Sequence, residues 1–358
     1  MPRIVPAFRR IRPRSRPPDR FDLTSVPVPR LSPRDPARVV RPRAVDRMSN
    51  ADTPALSAAP AALPPGMALG IAAMVAAALA MSISPSLVRL ADVGPFASAF
   101  WRVGLALPVL WGWMRGEDAR APSAPPGRAS FTRPTVLAGL VFAGDLFFWH
   151  LSVMNTTVAN ATFFATCAPI WVVLFGWLIF GQRVGRPVLA GLGLCVLGGA
   201  ALVAQSFAFN PAHAAGDGLG IVTGVFFGLY FLAVGAARRR TGAARVTFEM
   251  SIVAALVLLA TALALEPHLL PRSASGWAVL LVLALVSHAG GQGLLSVALG
   301  RLPAAFSSLV IFLEAIAAAA VAWGMLGEAV VPVQVLGGAF ILVGIWVARP
   351  RPTATPVP

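Results

Sequence analysis

The segment Pro303–Glu328, PAAFSSLVIFLEAIAAAAVAWGMLGE, is apolar over the thickness of a bilayer except for one carboxylate near its middle, Glu314. About 20 apolar residues rising ~1.5 Å each cross the hydrocarbon core as a helix, so this segment reads as a membrane span. An ionisable side chain at that depth costs roughly 2.5 to 3.5 kcal/mol on insertion scales, so it turns toward a partner or a wet cavity rather than lipid. Glu314 is therefore the first candidate site residue.

The same segment has an earlier counterpart. Moving back 146 positions without a gap places Ala305 on Ala159, Trp323 on Trp177, Gly327 on Gly181, Gly337 on Gly191 and Gly344 on Gly198. The helix end Gly181-Gln182 falls in register with Gly327-Glu328. Two units follow, residues 66–206 and 216–349, each a five-helix repeat.

Mean hydropathy of +0.76 with only 12% charged residues sets the whole chain apart from soluble domains. The net charge of +15 resembles a nucleic-acid binder's, but it is not spread over a folded surface. Residues 1–50 hold 13 arginines against four aspartates, and nucleic acid is not an expected partner. Residues 1–65, rich in Arg and Pro and without an apolar period, are expected to be a disordered basic tail. A start at Met48 is the alternative to translation of residues 1–47.

Ten spans are expected, at about 67–88, 95–114, 134–153, 158–180, 187–206, 217–237, 247–266, 276–298, 303–326 and 332–349, with a short tail over 350–358. The fold class is thus all-α integral membrane. Ser84-Pro85 predicts a kink in the first span. Arginine supplies the topology signal because lysine is absent. The even-numbered connections contain Arg115, Arg120, Arg128, Arg133, Arg183, Arg186, Arg238, Arg239, Arg240, Arg245 and Arg301, whereas the odd ones contain Arg89 and Arg272. Both termini are expected on the cytoplasmic side. Five spans per repeat is an odd number, so the second repeat enters the membrane inverted, as in many secondary transporters.

Polar residues within the spans are the candidate pathway. Asp145 and Glu314 give one mid-span carboxylate to each repeat. Low dielectric favours the neutral carboxyl, which is the chemistry that exchange of a proton requires. His150, five residues beyond Asp145, points to a different face. His288, Gln292 and Ser296 form an i, i+4 polar stripe on the eighth span. Arg102, about two turns into the second span, either reaches an interface or holds an anionic group. Asn160 and Thr162 on the fourth span, Trp149 and Tyr230 complete the set. Each residue has a structural alternative, a hydrogen bond between helices. Cys167 and Cys195 lie in apolar spans without ligand spacing, so neither a metal nor a disulfide is expected.

An intramembrane enzyme built on Asp145, His150, His288 and Glu314 is the competing reading, but the chain contains no His-Glu-x-x-His pair and no Gly-x-Ser-x-Gly elbow. A scaffold or sensor is disfavoured because no folded soluble region accompanies the spans. No phosphate-loop motif supports a primary pump.

Phe100-Trp101-Arg102, Cys167-Ala168-Pro169 followed by Gly181-Gln182-Arg183, and Leu313-Glu314-Ala315 followed by Gly327-Glu328 together resemble the EamA-type members of the drug/metabolite transporter superfamily. The resemblance spans about residues 66–349. It departs at Ala315, where relatives often carry proline, and at Gln182, where they often carry glutamate. It implies export or exchange of small solutes such as amino acids, metabolites or drugs, often driven by protons, by a multi-pass protein of the bacterial inner membrane. It implies no enzyme activity and no cofactor. The expected partners are a small-molecule substrate, lipid and protons, and the assembly considered is a homodimer.

Overall fold

The computed structural model describes residues 65–120, 130–203, 213–326 and 331–350. The expected basic tail over residues 1–64 and the pair Gly327-Glu328 lie outside the described residues. Regular structure among the described residues is entirely helical.

The first repeat runs α1 (Pro65–Met81), α2 (Ser84–Leu90), α3 (Pro95–Gly104), α4 (Leu107–Arg120), α5 (Arg133–Asn155), α6 (Val158–Thr166), α7 (Ala168–Phe180) and α8 (Arg186–Val203). The second runs α9 (Ala214–Arg238), α10 (Ala243–Leu265), α11 (Ala274–Val282), a π-helical segment (Leu283–Gln292), α12 (Gly293–Leu299), α13 (Ala304–Val310), α14 (Leu313–Leu326) and α15 (Pro332–Ala348). With consecutive pieces joined where the chain bends, eight described helices are long and apolar enough to cross a membrane, and Pro332–Ala348 is a shorter apolar helix. The expected second span is not one apolar helix. It is the pair α3 and α4, parted at Leu105–Ala106 and carrying Arg102, Arg115, Glu117 and Asp118.

Several spans break in mid-length, and proline accounts for most of the breaks. Pro85, Pro108 and Pro169 each lack the N–H that would close on the carbonyl four residues back, and the chain parts at Ser82–Ile83, Leu105–Ala106 and Cys167. The ninth span breaks without one, despite Ala315. Phe312 N–H donates to Leu309 O at 3.2 Å and Glu314 N–H to Ile311 O at 2.9 Å, three-residue closures that tighten one turn and start a new helix at Leu313.

The middle of the bundle belongs to α5 and α9. Of their apolar windows 61% and 56% are buried, against 33% for α8, which with α15 turns Leu197 and Trp346 outward. These outward apolar faces suit lipid contact. Tyr230, Phe142, Phe231 and Phe312 fill the core.

Two-fold pairing is plainest where α8 crosses α15. A methyl group at Gly198 would lie 2.5 Å from Gly337 O, and one at Gly337 would lie 2.6 Å from Gly198 O. Likewise Gly191 would meet Gly344 O at 2.5 Å and Gly344 would meet Gly191 O at 2.7 Å. Gly337 is the counterpart of Gly191 and Gly344 of Gly198, so each glycine packs on the counterpart of the other, as an isologous contact requires. Backbone rather than a flexible side chain opposes the added carbon, so Gly198→Ala must push the helices apart. The expected loss is about 1–3 kcal/mol, read as earlier thermal unfolding in detergent, whereas Gly193→Ala, where nothing lies within 4 Å, leaves the transition in place.

Candidate functional site

The broken helices end around a buried polar cluster. Arg102, in the last turn of α3, is 4% exposed. Its Nη2 donates to Ser287 Oγ at 3.1 Å, and its guanidinium carbon lies 5.4 Å from the Trp149 ring centroid. Ser287 Oγ is also hydrogen-bonded to Ser84 Oγ, at the start of α2. The cation is therefore held by a hydroxyl chain from two other spans and by an aromatic face. Among the described residues its Nε has no hydrogen-bond partner.

Asp145 and Glu314 are both within coulombic reach of Arg102 and of each other. Among the described residues neither carboxylate forms a hydrogen bond or an ion pair, the ion pairs there being those of Arg245 with Asp118 at 2.6 Å and with Glu249 at 3.3 Å. Both are buried, at 7% and 9% exposure. The helix break explains the position of Glu314. It lies in the first turn of α14, where the positive end of a half-helix favours an acid. Two buried acids thus share one cation without closing on it.

The second side of the cluster is organised by the π-helical segment. It bonds i→i+5, and Ser287, His288, Gly291 and Gln292 on it are all buried. Tyr230 O–H donates to Gln292 Oε1 at 3.0 Å, and Gln292 Nε2 donates to Met81 Sδ at 3.2 Å. His288 Nε2 is 2.9 Å from Ser251 Oγ on α10, and its Nδ1 is unpaired. Ser296 Oγ donates to Ala243 O at 3.4 Å. The i, i+4 stripe therefore divides, with His288 and Ser296 toward α10 and Gln292 toward α1 and α9.

His150 bonds through Nδ1 to Leu146 O at 2.7 Å, leaves Nε2 unpaired, and packs edge-on against Trp149 with ring centroids 5.0 Å apart. It too lies within coulombic reach of Arg102, so the five-residue spacing from Asp145 does not take it out of the cluster. Asn160 is different. Its Nδ2 donates to Asp217 Oδ1 at 3.1 Å, beside the Thr156 hydroxyl at 2.6 Å, near the turn between α5 and α6 and not with the central residues.

Ser84, Ser287, Ser251 and Met81 were not candidates in the sequence. A hydroxyl in an apolar helix satisfies itself on its own backbone so readily that it carries no signal.

The cluster draws Arg102, Asp145, Trp149 and His150 from the first repeat and Tyr230, His288, Gln292 and Glu314 from the second. The model of the EamA-like transporter family matches residues 65–204 and again 214–349. The chain belongs to the EamA-like transporter family. Its two EamA repeats are the two units that the glycine register divides, and the polar cluster lies where they meet. No curated protein matches the chain. A solved structure described only as "Crystal structure of protein" is similar at a TM-score of 0.63 and 17% identity, over 79% of this chain and 97% of that one, a likeness of fold alone.

Proposed function

We propose that this EamA-family protein is a ten-span secondary transporter that exports or exchanges small solutes by alternating access and couples their movement to protons through Glu314. The observation that carries the reading is the pairing of Glu314 and Asp145, one per repeat, around a single unclosed Arg102 at the level of the broken helices. A carboxyl that no neighbour claims is free to exchange a proton for a solute group. Asp145 is the second exchanging group, and Arg102 balances whichever carboxylate is ionised. Trp149, Tyr230, His150, His288 and Gln292 form the walls of the path, and Asn160 lies at its odd-connection mouth. The arginine-rich connections support a reading in which the even-numbered face and both termini are cytoplasmic and the protein sits in a bacterial inner membrane.

Counterflow in proteoliposomes tests transport itself. Vesicles preloaded with pools of amino acids and other small metabolites should take up labelled solute from one pool faster than protein-free vesicles. Uptake equal to that of empty vesicles across broad pools would overturn the carrier reading.

A further inference from the structure

The two EamA repeats are pinned together at both ends of α10 by the same device. At the end formed by the odd-numbered connections, Glu266, immediately after α10, accepts backbone N–H bonds from Phe96 at 2.6 Å and Ala97 at 2.9 Å, in the first turn of α3. At the opposite end Glu117, in the last turn of α4, accepts from Ala243 and Ala244, both at 3.1 Å, in the first turn of α10. Each carboxylate takes two of the unpaired N–H groups at a helix N-terminus. The helices' own N-cap residues, Gly94 and Gly242, have no side chain to cap them.

The two contacts correspond element by element. The N-caps Gly94 and Gly242 are 148 positions apart and Glu117 precedes Glu266 by 149, with the bonded N–H groups one position nearer the N-cap in α10 than in α3. They are copies of one contact, placed by the inversion at opposite faces. Glycine leaves space for the acid in both, since a methyl group at Gly94 would fall on the Glu266 carboxylate and one at Gly242 on that of Glu117 and would displace it. The helix between them is not a rigid rod. The break at Leu105–Ala106 separates α3, held by Glu266, from α4, held by Glu117.

Further contacts strengthen each end. Asp118 pairs with Arg245 beside Glu117. Near Glu266, Asp92 accepts N–H bonds from Arg272 at 3.1 Å and Ser273 at 2.9 Å, and the Ser273 hydroxyl holds the Asp92 carboxyl below the usual carboxylate range.

We propose that Glu266 and Glu117 are the two end latches of the transport cycle, Glu266 holding the odd-connection end shut and Glu117 the even-connection end, each releasing while the other stays closed. The inference rests on the alternating-access reading above. A carrier that never opens both ends at once needs two closures that exchange roles when the repeats exchange conformations, and an inverted duplication supplies them as copies of one contact. Each latch lies at a helix terminus, where water can take over the freed N–H groups and carboxylate, so release leaves no polar group stranded.

Thiol labelling reads the two ends separately. Single cysteines are placed at Ser98 and Thr247, both buried and each about one turn inside a latched N-terminus, in the full chain with Cys167→Ser and Cys195→Ala. In nanodiscs, a membrane-impermeant maleimide reaches both faces. Glu266→Ala should speed labelling at position 98 about ten-fold and leave position 247 no faster, and Glu117→Ala should do the reverse. Gly94→Ala keeps the acid but displaces it, and should reproduce the effect of Glu266→Ala. Acceleration at both positions by either variant would mean general loosening and overturn the proposal, as would no change at either. Labelling needs neither solute nor proton, so it can succeed or fail independently of the transport assays.

Discussion

Arg102→Ala is expected to abolish solute movement and to destabilise the protein by about 3 kcal/mol, because it leaves two buried carboxyls facing each other without the cation that both of them share. It also removes the partner of Ser287 and the cation over Trp149. The loss is checked as a fall in the thermal unfolding midpoint in detergent and as counterflow no faster than in empty vesicles. Adding Asp145→Asn should restore most of the stability but not the transport, since it removes the uncompensated charge without replacing the guanidinium. Arg102→Lys should be intermediate, since an ammonium keeps the charge but lacks the planar fork that reaches Ser287 while lying over an indole. Full stability and transport in Arg102→Ala would show that the cluster does not depend on its cation.

The second large effect concerns coupling rather than stability. Glu314→Gln keeps the shape and leaves an amide oxygen at the start of α14, so the half-helix retains an acceptor near its positive end. Unfolding should shift by no more than about 1 kcal/mol, the size of one neutral hydrogen bond. Proton movement driven by solute should fall by about 100-fold or more, because the amide has no exchangeable charge to trade. Counterflow of solute, which needs only the path and the two alternating states, should persist.

The bundle was legible in the sequence where one residue type forces one structure. Apolar runs of bilayer length gave the eight helices that are long and apolar enough to cross a membrane, and the glycines at 191, 198, 337 and 344 marked the repeat because two backbones approach through them. Pro85 marked its break, whereas the one at Cys167 was not expected although Pro169 follows it. The parting of α3 from α4 was missed although Pro108 is present, because the apolar run continues past it and hydropathy registers no missing N–H. The break before Glu314 has no sequence signature at all, since a turn closed by three-residue bonds demands no special residue.

Charge was the readable part of the site. Arg102, Asp145 and Glu314 stand out in an apolar background, and folding brings them to one place. Hydroxyls and amides do not stand out in the same way. Ser287 was invisible beside His288, and α-helical spacing aligned Gln292 with His288 and Ser296, whereas the π-helical turn brings Ser287 and Gln292 to the buried side together. Asn160 was grouped with the central residues because it lies in a span, but Asp217, distant in sequence, claims it near a helix end. Glu117 and Glu266 were not candidates, because the offset between the repeats shifts from 146 to 149 there and hides the correspondence.

Proton coupling through Glu314 is read as internal pH, followed with an enclosed dye in proteoliposomes as solute is added, for the wild-type chain and for Glu314→Gln side by side. The wild type should show a solute-dependent pH change that disappears in the variant while counterflow continues. Solute uptake of equal rate in both proteins, with no pH change in either, would contradict it.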